Sequence, residues 1–94
     1  MSDICVLGNF VVDNSFYAKK LPIKGQTVFG SNFQVGPGGK GSNQAIAAAR
    51  LGSKVNFLGK IGDDDHGKMA IDLYKKNNID INSVFISKEH PTGV

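Results

Sequence analysis

The sequence predicts an α/β fold in which helices cover a parallel sheet. The run ICVL at 4–7 is continuously apolar and closed by Gly8, which is typical of a strand buried on both faces. Two later segments have helical composition or periodicity, and a segment of strand character follows each of them. The predicted order is strand, hairpin, helix, strand, helix, strand, and this alternation is characteristic of parallel α/β proteins.

A hairpin is predicted between the first strand and the first helix. Residues 10–17 mix β-branched and aromatic types around Asp13 and Asn14, so both a strand and a turn fit them. LPIKG at 21–25 is predicted as a turn, and residues 27–35 alternate in polarity like a half-exposed strand. These segments are expected to stand outside the main core.

The first helix is predicted at 43–51, where alanine and other strong helix formers dominate. Ser42 or Asn43 is expected to cap its start, and Gly52 fits the C′ position just beyond a helix end. Residues 54–61 are predicted to form the strand that follows this helix.

The second helix is predicted to open at the three acids 63–65 and to end at Asn77 and Asn78. Its apolar face carries Met69, Ala70, Leu73 and Tyr74. The acids suit the positive end of the helix dipole, and we prefer this interpretation to a metal site. Residues 79–87 are predicted as a strand, and PTGV at 91–94 resembles the start of another. Because a helix-covered parallel sheet needs more elements than these, we expect the chain to be a fragment.

Composition argues against several classes of protein. The net charge of +3 comes from scattered lysines without a basic block or interleaved aromatics, so we expect no nucleic-acid partner. No apolar run approaches the roughly 20 residues of a membrane span, and the amino terminus lacks a basic signal segment, so we expect a cytoplasmic protein without a membrane partner. The single cysteine, Cys5, lies in an apolar run and is predicted to be a small buried hydrophobe.

A glycine-rich loop, VGPGGKGSN at 35–43, precedes the first predicted helix. Three of its glycines, Gly36, Gly38 and Gly41, satisfy the dinucleotide pattern G-x-G-x-x-G. A small dinucleotide-binding module is therefore an alternative, but the preceding segment is too polar for the buried strand which that fold requires. Glycines that allow close approach, ahead of a helix start with free N–H groups, predict a loop that binds a polar or anionic ligand.

Five segments stand in the order of one family's motifs, namely VLGNFVVD at 6–13, GQTVFG at 25–30, GGKGSNQAIAAARLG at 38–52, VNFLGKIGDDDHG at 55–67 and PTGV at 91–94. Together they resemble the ribokinase (PfkB) family of carbohydrate kinases. The resemblance implies a ribokinase-like three-layer fold with a parallel core sheet and a β lid. It also implies that 1–94 is the amino-terminal part of the kinase domain, with lid segments at about 10–35 and from 92.

The resemblance implies transfer of the γ-phosphoryl group of ATP to a sugar hydroxyl. Mg²⁺ is the implied metal, and many relatives use a monovalent cation such as K⁺ as an activator. The family's catalytic aspartate, in a G-A-G-D motif, and its nucleotide pocket belong to the carboxy-terminal half. No catalytic, cofactor-binding or metal-binding residue is therefore expected in this chain, and the 94 residues alone are expected to be inactive.

The implied sugar-binding residues are Val11, Asp13, Gly39, Lys40, Gly41 and Asn43. A carboxylate such as Asp13 accepts hydrogen bonds from two sugar hydroxyls, and Asn43 both donates and accepts. The glycines let backbone groups approach the sugar, and Lys40 adds positive charge where phosphoryl transfer gathers negative charge. Ribokinase has an asparagine two residues before its aspartate, but this chain has Val11 there, which counts against ribose itself.

Two alternatives stay open within this resemblance. An adenosine or other nucleoside kinase of the same family differs only in pocket residues beyond the lid. Phe29 and Phe33 are expected on one face of the second lid strand, where they serve either ordinary packing or a self-complementary patch. The second possibility predicts a homodimer formed through the lid.

Overall fold

The computed structural model describes residues 2–94, which form two sheets and two helices. In chain order the elements are β1 (Ile4–Leu7), β2 (Val11–Tyr17), β3 (Asn32–Gly38), α1 (Lys40–Arg50), β4 (Val55–Gly62), α2 (Asp65–Lys76) and β5 (Val84–Ser87). The alternation of strands and helices confirms the predicted α/β class.

A three-stranded parallel sheet in the order β1-β4-β5 forms the centre of the fold. Both helices pack against it, α1 on β1 and β4 and α2 on β4. The inward positions of β4, Val55, Phe57 and Ile61, are buried, whereas Lys60 is exposed. This alternation shows that the helices within residues 2–94 cover one face of the sheet.

Cys5 lies on the face of β1 that the helices do not cover, and it is exposed. The prediction of a buried Cys5 is therefore wrong for the described chain. β1 pairs only with β4 among the described strands, and in the parallel register Cys5 stands beside half-buried Asn56 rather than beside Val55 or Phe57. An apolar run cannot reveal which of its residues point to a covered face.

Tyr74 of α2 lies at the centre of the core, with no measurable exposure. Its ring centre is 4.8 Å from that of Phe57 and 6.2 Å from that of Phe10, which it meets edge-on. The Tyr74 hydroxyl donates a 2.9 Å hydrogen bond to Ser42 Oγ in α1. Burial raises the pKa of Tyr74, so the hydroxyl stays neutral and serves as a donor. This bond ties the two helices together.

The predicted hairpin is present as a separate antiparallel sheet of β2 and β3. Its register runs from Val11 opposite Gly38 to Tyr17 opposite Asn32. The second strand of the hairpin lies further along the chain than the predicted 27–35, because β3 begins at Asn32 and ends at Gly38. Phe29 consequently lies outside the strand and is 96% exposed. Pairing with β2 places residues 35–38 of the glycine-rich loop in a strand, which local composition does not predict.

The first helix begins at Lys40, earlier than predicted, and Gly39 is its N-cap residue without a side-chain cap. Neither Ser42 nor Asn43 caps the helix, because both lie within it. Ser42 is instead buried and accepts the bond from Tyr74. The prediction for Gly52 is correct: it follows the C-cap residue with φ +100°, and its N–H donates to Ala49 O.

The second helix begins at Asp65, and Asp64 caps it by accepting a 2.8 Å bond from the Gly67 N–H. This agrees with the interpretation of the acids as a helix start. The strand predicted at 79–87 is shorter, Val84–Ser87. Near the end of the chain, Gly93 forms a parallel bridge to Val11, so this segment returns to the β2–β3 sheet.

Candidate functional site

A cleft of about 680 Å³ opens where β1 ends, between the base of β2 and the first turn of α1. All the residues assigned to the sugar by resemblance line it: Val11, Asp13, Gly39, Lys40, Gly41 and Asn43. The remaining lining residues, which the sequence did not single out, are Val6, Leu7, Gly8, Asn9 and Gln44. For the residues at the end of β1 a sequence signal was available, because the carboxyl end of a parallel strand is where α/β proteins bind ligands.

Gly39 shapes the floor of the cleft. Its backbone has φ +96° and ψ +125°, a conformation that residues with a Cβ rarely adopt. A Cβ at this position would collide with the carbonyl oxygen of Asn9 and lie 3.1 Å from its carbonyl carbon. The turn that follows β1 and the start of α1 are therefore in direct backbone contact, which only glycine permits here.

Asp13 stands on the wall of the cleft formed by β2. Its carboxylate lies against Gly38 of β3, where an added Cβ would be 2.5 Å from the Asp13 Cγ. Within residues 2–94 the carboxylate forms no ion pair and accepts no hydrogen bond. Both oxygens are consequently available to a ligand in the cleft.

The opposite wall is the first turn of α1. Its first intrahelical bond runs from the Asn43 N–H to Gly39 O, at 2.9 Å, so the N–H groups of the preceding residues have no partner within the helix. The exposed side chains of Lys40, Asn43 and Gln44 line the cleft from the same turn. A carboxylate thus faces backbone donors, two amides and an ammonium group across the cleft, an arrangement that suits a ligand with several hydroxyls.

Asp64 and Thr92 form a second polar cluster, beside the carboxyl end of β4. Asp64 Oδ2 accepts a 2.8 Å bond from the Thr92 N–H, and Oδ1 accepts a 2.7 Å bond from the Thr92 hydroxyl. The Gly62 N–H donates to Thr92 Oγ1 at 2.8 Å. The bonds from the Thr92 N–H and hydroxyl, with that from the Gly67 N–H, hold the pKa of Asp64 below its ordinary value of 3.8.

The lowered pKa of Asp64 predicts a loss of stability in acid. Because the carboxylate is favoured in the folded state, its contribution is fully present above pH 3.8 and is lost as the pH falls through the lower folded-state value. We expect the free energy of unfolding of wild type to exceed that of Asp64→Asn at neutral pH, and the difference to shrink in strong acid. Urea titrations across pH measure this, with Asp65→Asn as the control, and a pH-independent difference would contradict the prediction.

The profile of the pfkB family carbohydrate kinases matches residues 1–94 of this chain. A ribokinase of Bacillus subtilis is 47% identical over 79 residues, which are 84% of this chain and 27% of that protein. A deoxyribokinase of Salmonella typhi is 50% identical over 62 residues, which are 66% of this chain and 20% of that protein. The chain therefore spans about a quarter of the length of these relatives.

Solved kinases share the fold of this chain. A ribokinase of Arabidopsis thaliana, solved with ribose and ATP, superposes with a TM-score of 0.83 and 30% identity. The match covers 97% of this chain and 30% of that one. The parallel sheet, its helices and the β2–β3 sheet thus correspond to one part of a ribokinase fold. Within residues 2–94, neither α1 nor α2 has the length and apolar character of a membrane-crossing helix.

Proposed function

Since the chain belongs to the pfkB family of carbohydrate kinases, we propose that it supplies the sugar site of an enzyme that phosphorylates a sugar hydroxyl with ATP. The observation that supports this proposal is the cleft at the end of β1, in which a carboxylate on β2 opposes the donors of α1. A dinucleotide module has no such support, because β3 pairs with β2 outside the central sheet and is not the buried strand that a Rossmann fold requires.

Each group in the cleft has a role in this proposal. Asp13 accepts hydrogen bonds from two hydroxyls and orients the sugar, while Asn43 contacts a further hydroxyl. Gly39 and Gly41 let the backbone approach the ring. Lys40 lies close to the reacting hydroxyl and offsets the negative charge that gathers there during transfer.

ATP, Mg²⁺, any activating cation such as K⁺ and the catalytic base are assigned to parts of the enzyme outside this chain. Phosphoryl transfer depends almost entirely on positioning and on electrostatic stabilisation of the phosphoryl group. We therefore expect the 94 residues alone to show no sugar-dependent ATP hydrolysis or transfer.

The proposal is tested by assaying the complete protein for ATP turnover with single sugars. We expect ADP to form at a rate that depends on a pentose or hexose, and phosphate to appear on the sugar in equal amount. Adenosine is the matched acceptor for the alternative, a nucleoside kinase. Turnover with adenosine alone would establish that alternative, and no sugar-dependent turnover at all would overturn the proposal.

Val11 bears on which sugar is bound. Its half-buried apolar side chain lines the cleft two residues before Asp13, and it offers nothing to a hydroxyl. The Salmonella typhi relative is a deoxyribokinase, which fits a sugar lacking one hydroxyl. We expect Val11→Asn to raise kcat/KM for ribose relative to 2-deoxyribose by about tenfold, since an unpaired buried hydroxyl costs 1 kcal/mol or more. An unchanged ratio of the two kcat/KM values would mean that Val11 does not face the 2-hydroxyl of ribose.

A homodimer through the lid, here β2 and β3, is the proposed assembly. The face of this sheet turned away from Asp13 is apolar and exposed at Phe16, Phe33 and Val35, which are 78%, 50% and 46% exposed. The Phe16 and Phe33 rings are in contact, with their centres 4.7 Å apart and their planes tilted by 35°. An exposed apolar face on an open two-stranded sheet favours packing against a second copy.

Sedimentation velocity at micromolar concentration tests this assembly. We expect a dimer for wild type and a monomer for Phe16→Ser/Phe33→Ser, because both rings leave the shared apolar face. Phe29→Ser is the matched control, since Phe29 lies outside the strands and is expected to leave the dimer intact. A monomeric wild type, or a double variant that still dimerises, would refute the lid contact.

A further inference from the structure

The segment that follows β5 is held in a polar pocket built from the end of β4 and the first turn of α2. Thr92 is only 6% exposed there. The Asp64 carboxylate accepts hydrogen bonds from the N–H and from the hydroxyl of Thr92. The Thr92 hydroxyl in turn accepts a hydrogen bond from the Gly62 N–H. A Cβ on Gly62 would lie 2.5 Å from the Thr92 N, so the pocket fits closely around this residue.

The residue next to Thr92 contacts the start of β2. Gly93 O accepts a 2.9 Å bond from the Val12 N–H, and Gly93 forms a parallel bridge with Val11. Val11 and Asp13, on either side of Val12, both line the cleft. The hydrogen bonds between Asp64 and Thr92 and the bond between Gly93 and Val12, joined by the Thr92–Gly93 peptide link, therefore connect Asp64 to the strand that carries Asp13.

Capping α2 does not account for all the bonds of Asp64. The cap needs one acceptor for the Gly67 N–H, and Asp64 Oδ1 supplies it at 2.8 Å. The other two bonds of the carboxylate go to Thr92, which lies 28 residues away in sequence. These long-range bonds organise a different part of the molecule from the helix.

We propose that Asp64 is a positioning residue for the sugar site. By holding Thr92, Asp64 fixes Gly93 against β2, and β2 in turn holds the Asp13 carboxylate in the cleft. The proposal rests on the sugar-kinase function proposed above. Asp64 itself is not among the residues that line the cleft, so it acts only through Thr92, Gly93 and β2.

Asp64→Asn separates this role from helix capping. Asparagine caps helices as well as aspartate does, and its oxygen can still accept from Gly67. Its NH₂ group, however, meets the Thr92 N–H, so two donors face each other where one bond had been. Asp65→Asn is the matched control, because it removes an acid from the same turn whose side chain is 98% exposed.

Two measurements on the complete protein test the proposal. Amide hydrogen exchange is followed at Val12, which donates to Gly93, and at Ile79, which donates to Tyr74 O in the core and reports global stability. In Asp64→Asn we expect exchange at Val12 to rise by about tenfold relative to Ile79, and the KM for the sugar to rise by about tenfold, from the loss of one charge-assisted bond. The KM for ATP, and both exchange rates in Asp65→Asn, are expected to stay at wild-type values.

If exchange at Val12 in Asp64→Asn equals that in Asp65→Asn, the proposal is overturned. Faster exchange at Val12 in Asp64→Asn without a change in the sugar KM would overturn it as well. If Asp64→Asn does not fold, Thr92→Val and Thr92→Ser decide instead: a raised sugar KM in the valine variant alone supports the proposal, and equal values overturn it. If the wild-type protein phosphorylates no sugar, the proposed function fails. Exchange at Val12 then decides by itself whether Asp64 positions β2.

Discussion

Replacing Asp13 by alanine is expected to weaken sugar binding to the complete protein by about 2 kcal/mol or more, a factor of about 30 in Kd. The carboxylate lines the cleft and accepts no bond within residues 2–94, so its hydrogen-bonding capacity is available to the sugar. Two hydroxyl donors would lose a charged acceptor in the variant. Calorimetric titration with the sugar measures the change.

Asn14→Ala is the matched control for Asp13→Ala. Asn14 is the next residue of β2 and therefore points to the opposite face of the two-stranded sheet. We expect its sugar affinity to equal that of wild type, and ATP affinity to be unchanged in both variants. Equal sugar affinity in wild type and Asp13→Ala would contradict the assignment of Asp13.

Replacing Gly39 by alanine is expected to destabilise the protein by about 3 kcal/mol, because backbone strain and a steric clash add at one position. The new Cβ would collide with Asn9 O and lie 3.3 Å from the Phe10 Cα. Relief requires the turn after β1 to move away from α1, which opens the floor of the cleft. Urea unfolding measures the stability, and the sugar Kd is expected to rise in the same variant.

Gly52→Ala is the control for the steric clash in this prediction. Gly52 has φ +100°, close to that of Gly39, but an added Cβ there meets nothing within 4 Å. Only the strain of a positive φ remains, so we expect a loss of about 1 kcal/mol and unchanged sugar affinity. Equal losses of stability in the two variants would show that contact with Asn9 does not constrain the site.

Local signals predicted the elements that depend on nearest neighbours in the chain. These elements are the alanine-rich helix, the helix start at the acids of α2, and the helix end at Gly52. Each is set by propensity, capping and dipole effects, which operate within one or two turns of backbone. The same signals failed at Ser42 and Asn43. Both are good capping residues by type, but the helix starts at Lys40 because Gly39 packs against the turn after β1.

The sequence named six residues that line the cleft, but it did not predict how they are arranged. The motifs around Asp13 and Lys40 indicated a sugar-binding loop, since their residue types and order resemble a known family. Asn9 was missed although it follows the end of a predicted parallel strand, and Gln44 was missed because only the folded chain brings the first turn of α1 beside the end of β1. The Asp64–Thr92 bonds likewise join residues far apart in sequence, and no local pattern predicts such a pair.

The sequence by itself determined the α/β class, the alternation of strands and helices, and the family to which this chain belongs. These properties follow from periodicity, from turn and cap chemistry, and from residue order, all of which are properties of the chain as written. Only the tertiary structure decided where β3 begins, which residue caps α1, that Cys5 is exposed, and which side chains share the cleft. Those features depend on strand pairing and on contacts between distant segments. The free energies of these tertiary contacts exceed the local conformational preferences of the residues, which are all that the sequence shows directly.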